Sequence, residues 1–230
     1  MGSAELERRL VAAGVELLAE AGTDALSLRA IARRAGVSHG APRRYFRTHQ
    51  ALLAAVAREG YRQLEALVEE TIGKAGARPR AAVLALARGY VAFARQEPGM
   101  YALMFRHDLL RGNQIGLREA STPLFGVLVR LLERAGLPDP SLAAASLWAN
   151  LHGVAQLWQW GSLQVVTGAT DPDPLLAATV AAHLDTTTAT HPEATTPRRH
   201  TTGHPHAAAH PHHAADRRDA SAPGGPGSEL

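Results

Sequence analysis

The chain contains no cysteine. This excludes disulfides, thiolate metal sites and cysteine nucleophiles, and it fits a reducing compartment, so a cytoplasmic location is expected. The amino end lacks the apolar run of a signal peptide, because Glu5, Glu7, Arg8 and Arg9 stand where that run would be needed. Three further absences divide the chain. Between Asp24 and Glu59 there is no acidic residue, yet Arg29, Arg33, Arg34, Arg43, Arg44, Arg47 and Arg58 all fall there. From Ser141 to Thr170 there is no charged residue of either sign. From Thr186 to Glu229 there is no Val, Ile, Leu, Met, Phe, Tyr or Trp, so that tail has nothing to build a core from and is expected to be disordered.

What remains is long enough for one or two domains, with 230 residues and 46% apolar side chains. Net charge is only +3, so the arginine-rich stretch is a local feature. A solvated helix face normally mixes both signs, and a stretch of one sign points to a polyanionic partner. Its residues, SLRAIARRAGVSHGAPRRYF from Ser27 to Phe46, read as helix, turn and helix. Ser27 is a good N-cap. Leu28, Ile31, Ala32 and Ala35 share one face, Gly36 suits a left-handed helix end, and Val37 plugs the turn. Ser38 is expected to cap a second helix running from about His39 to Phe46, with Pro42 tolerated near its first turn. Two short helices joined this way form a helix-turn-helix, whose second helix enters the major groove of DNA. A small core helix pair with an ordinary basic surface is the alternative reading.

On the helix-turn-helix reading, Arg29, Arg33 and Arg34 are phosphate contacts, which fix register without reading sequence. Val37, Pro42 and Phe46 face inward, while His39, Gly40, Ala41, Arg43 and Arg44 face the groove. The Ala41 methyl suits a thymine methyl, and Arg43 or Arg44 suits guanine or a phosphate. The DNA-binding set is Ser27, Arg29, Ser38, His39, Gly40, Ala41, Arg43, Arg44, Tyr45, Arg47 and His49.

GVSHGAPRRYFRTHQALL, preceded by LSLRAIARRA and by LERRLVAAGVELLAEAG, resembles the N-terminal domain of the TetR family of transcriptional regulators over about the first 64 residues. Trp148, His152 and Gly153 in LWANLHGVAQLW resemble the W-x-x-x-H-G signature of one TetR C-terminal domain class. The resemblance implies an all-α fold: an N-terminal three-helix domain over 4–64, a C-terminal effector-binding and dimerisation bundle over 65–186, and a His-rich tail over 187–230. It implies a homodimer on a palindromic double-stranded operator, with the last two helices pairing across subunits. It also implies a repressor released by a small hydrophobic effector, with the long helix capped by Thr48 carrying movement between domains. TetR-like proteins usually carry Tyr where Arg43 stands and Lys where His49 stands, so Arg43 changes what is read and His49 offers a pH-dependent contact.

The remaining helices read in order. Pro79 opens one with Val83, Leu86, Tyr90 and Phe93 inward. Glu97-Pro98-Gly99 breaks it, and a short apolar helix follows. Leu117 to Leu132 is helical with an interruption near Pro123, Pro140 opens the uncharged helix, and Pro174 the last one. The uncharged run is long enough to span a bilayer, but Asn150, His152, Gln156, Gln159 and Gln164 favour burial in protein instead. Trp148, Leu151, Ala155 and Trp158 share one face of it. Phe93, Tyr101, Met104, Phe105, Trp148 and His152 are the expected effector-pocket residues. His152 is expected to be a satisfied core histidine. No catalytic residue, cofactor or metal site is expected, although tail histidines such as those of HPHAAAHPHH invite adventitious metal. The rival functions are a helical small-molecule binder or enzyme with a non-functional DNA-binding domain, and a DNA binder without an effector.

Overall fold

α1 (Ser3–Ala21) turns Leu10, Ala13, Leu17 and Leu18 inward, the spacing that buries one stripe of a helix. The computed structural model describes residues 2–76, 78–106 and 117–185, and no strand occurs among them. A single 3-10 turn over Thr23–Ala25 leads to α2 (Leu28–Arg34). Ser27 Oγ accepts the Ala30 N–H at 3.1 Å, an N-cap that stabilises a helix by about 1 kcal/mol. Ile31 and Ala32 are fully buried. At the far end Gly36 has φ 65°. There the Val37 N–H reaches the Ala32 carbonyl at 3.0 Å and the Gly36 N–H the Arg33 carbonyl at 3.1 Å, closing a Schellman motif.

α3 (Pro42–Tyr45) is a single turn, shorter than the helix expected from His39 to Phe46. Pro42 takes the first or second position, where its missing N–H costs nothing. The N-cap is Ala41 and not Ser38; Ser38 contributes its backbone carbonyl, which accepts the Ala41 N–H at 2.9 Å. α4 (His49–Ala75) is capped by Thr48, whose Oγ1 accepts the Ala51 N–H at 3.0 Å. It runs unbroken through residue 64.

α5 (Pro79–Gln96) and α6 (Pro98–Met104) are separated by Glu97. α7 (Leu117–Arg134) carries through Pro123, contrary to the expected interruption. Pro123 is exposed, so the carbonyl it leaves unpaired can be hydrated. α8 (Pro140–Gln159) is capped by Asp139, and α9 (Ser162–Thr167) and α10 (Asp173–Leu184) follow. Trp160 and Gly161 break the uncharged run between α8 and α9. Among the described residues, no helix is long and apolar enough to cross a membrane.

α4 packs against α1, α5, α6 and α7, and α5 against α7, α8 and α10, so these two helices hold the core together. Arg88 pairs with Asp173 at 2.8 Å and Arg80 with Asp185, tying both ends of α10 to α5. α8 buries Leu147, Leu151, Ala155 and Trp158. Trp148 departs from the face expected for it and is 42% exposed, because it follows Leu147 and points one step round the helix. The His-rich tail expected over 187–230 lies outside the described residues.

Candidate nucleic-acid interface and effector cavity

The side chains of Arg29, Arg33, Arg43, Arg44 and Arg47 are exposed. Among the described residues none of them joins an ion pair. They come from α2, α3 and the segment after α3, held by Pro42 and Phe46, which are buried, and by Val37, which is half-buried. Ser38, His39 and Gly40 are exposed beside them, and Ala41 is half-buried. Ser27 is exposed but its hydroxyl serves the α2 cap. Tyr45 is half-buried and packs on the core, which leaves only part of its ring to solvent.

Two residues of this stretch are committed elsewhere. Arg34 binds Glu20 through both carboxylate oxygens, one at 2.8 Å, and reaches Glu16 at 3.2 Å. It therefore clamps α2 onto α1 and is not the phosphate contact expected for it. The Arg34 guanidinium holds the Glu20 carboxyl below its ordinary range. His49 places Nε2 on the Leu26 carbonyl, so its ring ties the start of α4 to the connection that leads into α2. That contact engages Nε2 of the residue from which a pH-dependent DNA contact was expected. Arg9 adds a further brace, donating to the Ala35 carbonyl at 2.6 Å at the C-terminal end of α2, where the helix dipole favours a cation. Glu16 and Glu20 stand four residues apart on one face of α1, which was the available sign of a waiting cation.

A cavity of about 430 Å³ opens between α4, α5, α7 and α8. Leu64 and Leu67 line it from α4, Leu86 and Tyr90 from α5, Leu124 and Phe125 from α7, and Leu151 from α8. Of the six residues expected to line a pocket, Phe105 and Trp148 do so. Phe93 and Met104 do not, since both are buried in the core. Tyr101 and His152 stand one layer behind the wall. Tyr101 Oη lies 2.7 Å from His152 Nδ1, and Tyr90 Oη lies 2.9 Å from the same nitrogen. The Tyr101 and His152 rings stack at 5.3 Å, and Phe105 meets His152 edge-on at 4.6 Å. Burial pushes the Tyr101 phenol up to about 12 and raises Tyr90 still further. The network passes from the cavity wall at Tyr90 into the core at Tyr101. Tyr90, expected only to face inward, and Arg118, which the apolar pattern did not single out, are both wall residues. Among the described residues, no group of three His, Asp or Glu is placed to hold a metal ion.

Residues 10–56 match the model of bacterial regulatory proteins of the tetR family, and residues 83–183 match that of the Tetracyclin repressor-like C-terminal domain. The chain belongs to the TetR family. Its TetR-type fold recurs in solved structures. A protein of unknown function from Rhodococcus sp. RHA1 is 34% identical, with a TM-score of 0.69 over 80% of this chain and 95% of that one. A transcriptional regulator from Rhodococcus sp. Rha1 is 25% identical, with a TM-score of 0.57 over 78% and 94%. A TetR-like transcriptional regulator from Rhodococcus sp. RHA1, at 20% identity, shares the fold with a TM-score of 0.58 over 80% and 98%. No curated protein matches the chain. The TetR N-terminal model covers the whole helix-turn-helix, and the TetR C-terminal model covers α6, α7, α8 and α9, most of α5 and nearly all of α10.

Proposed function

We propose that this TetR-family chain is a homodimeric repressor that binds a palindromic operator and is released by a small apolar effector. The observation that carries this reading is the surface of unpaired arginines on α2 and α3, joined by α4 to an apolar cavity. The DNA-binding part spans 4–64, with Arg43 and Arg44 as base or phosphate contacts and Arg29, Arg33 and Arg47 on phosphates. Residues 65–186 form the effector and dimerisation part. α4 bears on both, because its first turn touches the α2 connection through His49 while Tyr61, Leu64, Leu67 and Val68 line the cavity. An effector would favour whichever domain arrangement it binds more tightly, and only to the extent of that difference.

The subunits pair through the outer faces of α8 and α10. Leu142 is 67% exposed there, and Leu175 is exposed on α10. A methyl group added at Gly153 would meet nothing within 4 Å in its own subunit, which leaves room for a second helix.

Fluorescence anisotropy on labelled intergenic DNA from beside the gene tests this. Salt-sensitive, sequence-preferring binding is expected, and Arg43→Ala with Arg44→Ala should abolish it while the fold persists. A protein that ignores every duplex at low salt would instead be a helical small-molecule binder with a non-functional DNA-binding domain.

A further inference from the structure

The cavity wall is apolar apart from a few groups, and most of those are already engaged. The Tyr61 hydroxyl donates to the Met104 carbonyl at 3.3 Å. The Tyr90 hydroxyl is held by Tyr101 and His152. Ser121 Oγ donates to the Arg118 carbonyl at 3.4 Å. The Arg118 guanidinium is different. It is the one charged group among the described wall residues, and no described carboxylate pairs with it. It is exposed, so it stands at the rim and keeps its hydration while the cavity is empty. An arginine in that position costs little in the empty protein and gains a partner only when an anion arrives.

We propose that this cavity takes an amphiphile with an apolar body and a single carboxylate head, which pairs with Arg118. The inference rests on the cavity being the effector site. One planar guanidinium matches one carboxylate in a two-point contact, whereas a dianionic phosphate would call for more than one cation. A cationic head would be repelled, and a neutral apolar molecule would leave Arg118 unused. The volume lies within the range of cavities that enclose small ligands.

The test uses the full chain and submicellar decanoate, 1-decanol and decylamine, followed by calorimetry. Decanoate should bind at least about tenfold more tightly than decanol, with decylamine weakest. Arg118→Gln should remove that preference, and Arg118→Lys should retain part of it. Because Arg118 is exposed, both variants should melt like the parent. Leu86→Trp, which fills the cavity, should weaken decanoate and decanol alike. Equal affinity for decanoate and decanol in the parent, or an unchanged preference in Arg118→Gln, would overturn the proposal. So would full decanoate affinity in Leu86→Trp. Anisotropy on operator DNA with the same preparations separates the two readings. DNA binding without carboxylate preference removes only the ligand class, and carboxylate preference without DNA binding removes only the regulator.

Discussion

Tyr101 Oη lies 2.7 Å from Nδ1 of His152 and so bonds α6 to α8, while Tyr90 on α5 sits within reach of both groups. The nitrogen offers one lone pair. Tyr101 can donate to it while Tyr90 donates to the Tyr101 oxygen at 3.3 Å, which satisfies all three groups without an ion. A satisfied core histidine was expected from the sequence; His152 is instead half-buried, with Nδ1 engaged and a residue of the cavity wall among its partners.

The phenols give the fold an alkaline limit. Burial raises the Tyr101 proton affinity from 10.0 to about 12. Below pH 10 folded and unfolded chains both keep this proton, and stability does not depend on it. Between 10 and about 12 the unfolded chain releases the proton and the folded chain retains it, so stability falls as pH rises. Urea unfolding should show a stability plateau up to pH 10 and a decline above it. Tyr101→Phe should remove up to ~2 kcal/mol of that decline, leaving the part due to Tyr90 and Tyr61, whose phenols burial also raises. A variant that declines as steeply as the parent would show that Tyr101 is not the group responsible.

The arginines divide into two kinds by their dependence on salt. Each phosphate contact contributes about 0.9 to the slope of log affinity against log salt. Arg29→Gln and Arg33→Gln should each reduce the slope by about that amount. Arg34→Gln should leave it unchanged, since Arg34 is held by Glu16 and Glu20. Its loss should appear instead in the stability of the helix-turn-helix. The Glu20 carboxyl is held below its ordinary value of 4.5, so its support for the fold is complete above that pH and fades as pH drops below it. Thermal unfolding of Arg34→Gln across that range should lack the fading. Equal salt slopes for Arg33→Gln and Arg34→Gln would contradict the division.

What could be read from the sequence was local. The Ser27 and Thr48 caps and the Gly36 turn each depend on residues within five positions, and each stands where the spacing put it. The start of α3 was not legible, because apolar spacing records which residues point inward but not where hydrogen bonding begins. Arg34 was misread for a different reason: its partners lie 14 and 18 residues back. The cavity was half legible. Phe93 and Phe105 follow the same apolar spacing, and only tertiary packing makes the first core and the second wall. Nothing in the sequence marks Arg118, because most of the apolar wall it stands beside is supplied by other helices.

Gly99 marks the joint between α6 and α1. A methyl group there would stand 2.7 Å from the Leu18 backbone carbonyl, which cannot rotate aside as a side chain would. Gly99→Ala must therefore push α6 off α1, at a cost of about 1–3 kcal/mol. α6 also carries Tyr101 and Met104, whose carbonyl accepts the Tyr61 hydroxyl, so the shift should reach the cavity wall. Differential scanning calorimetry should show a lower melting temperature, and effector affinity should change with it. Gly60→Ala is the useful comparison. Its added methyl meets Met100 and Met104 side-chain atoms and no backbone, and unbranched methionines repack more readily than a carbonyl shifts, so its effect should be smaller. Equal losses in the two variants would mean that the backbone contact at Leu18 is not what matters.

The outer face of α8 supplies the last prediction. Leu142 is largely exposed on a helix without a single charged residue from Pro140 to Gln159. A two-fold contact brings each patch against its own copy, so one substitution acts twice. Leu142→Glu would set a carboxylate on each subunit against an apolar partner face, while costing the single subunit almost nothing because the site is exposed. Sedimentation should show a dimer for the parent and a monomer for Leu142→Glu, with unchanged helicity. Operator affinity should then fall by at least about a hundredfold, since two linked half-site contacts become two independent ones. If Leu142→Glu still sediments as a dimer with parental DNA affinity, subunit pairing does not run through this end of α8.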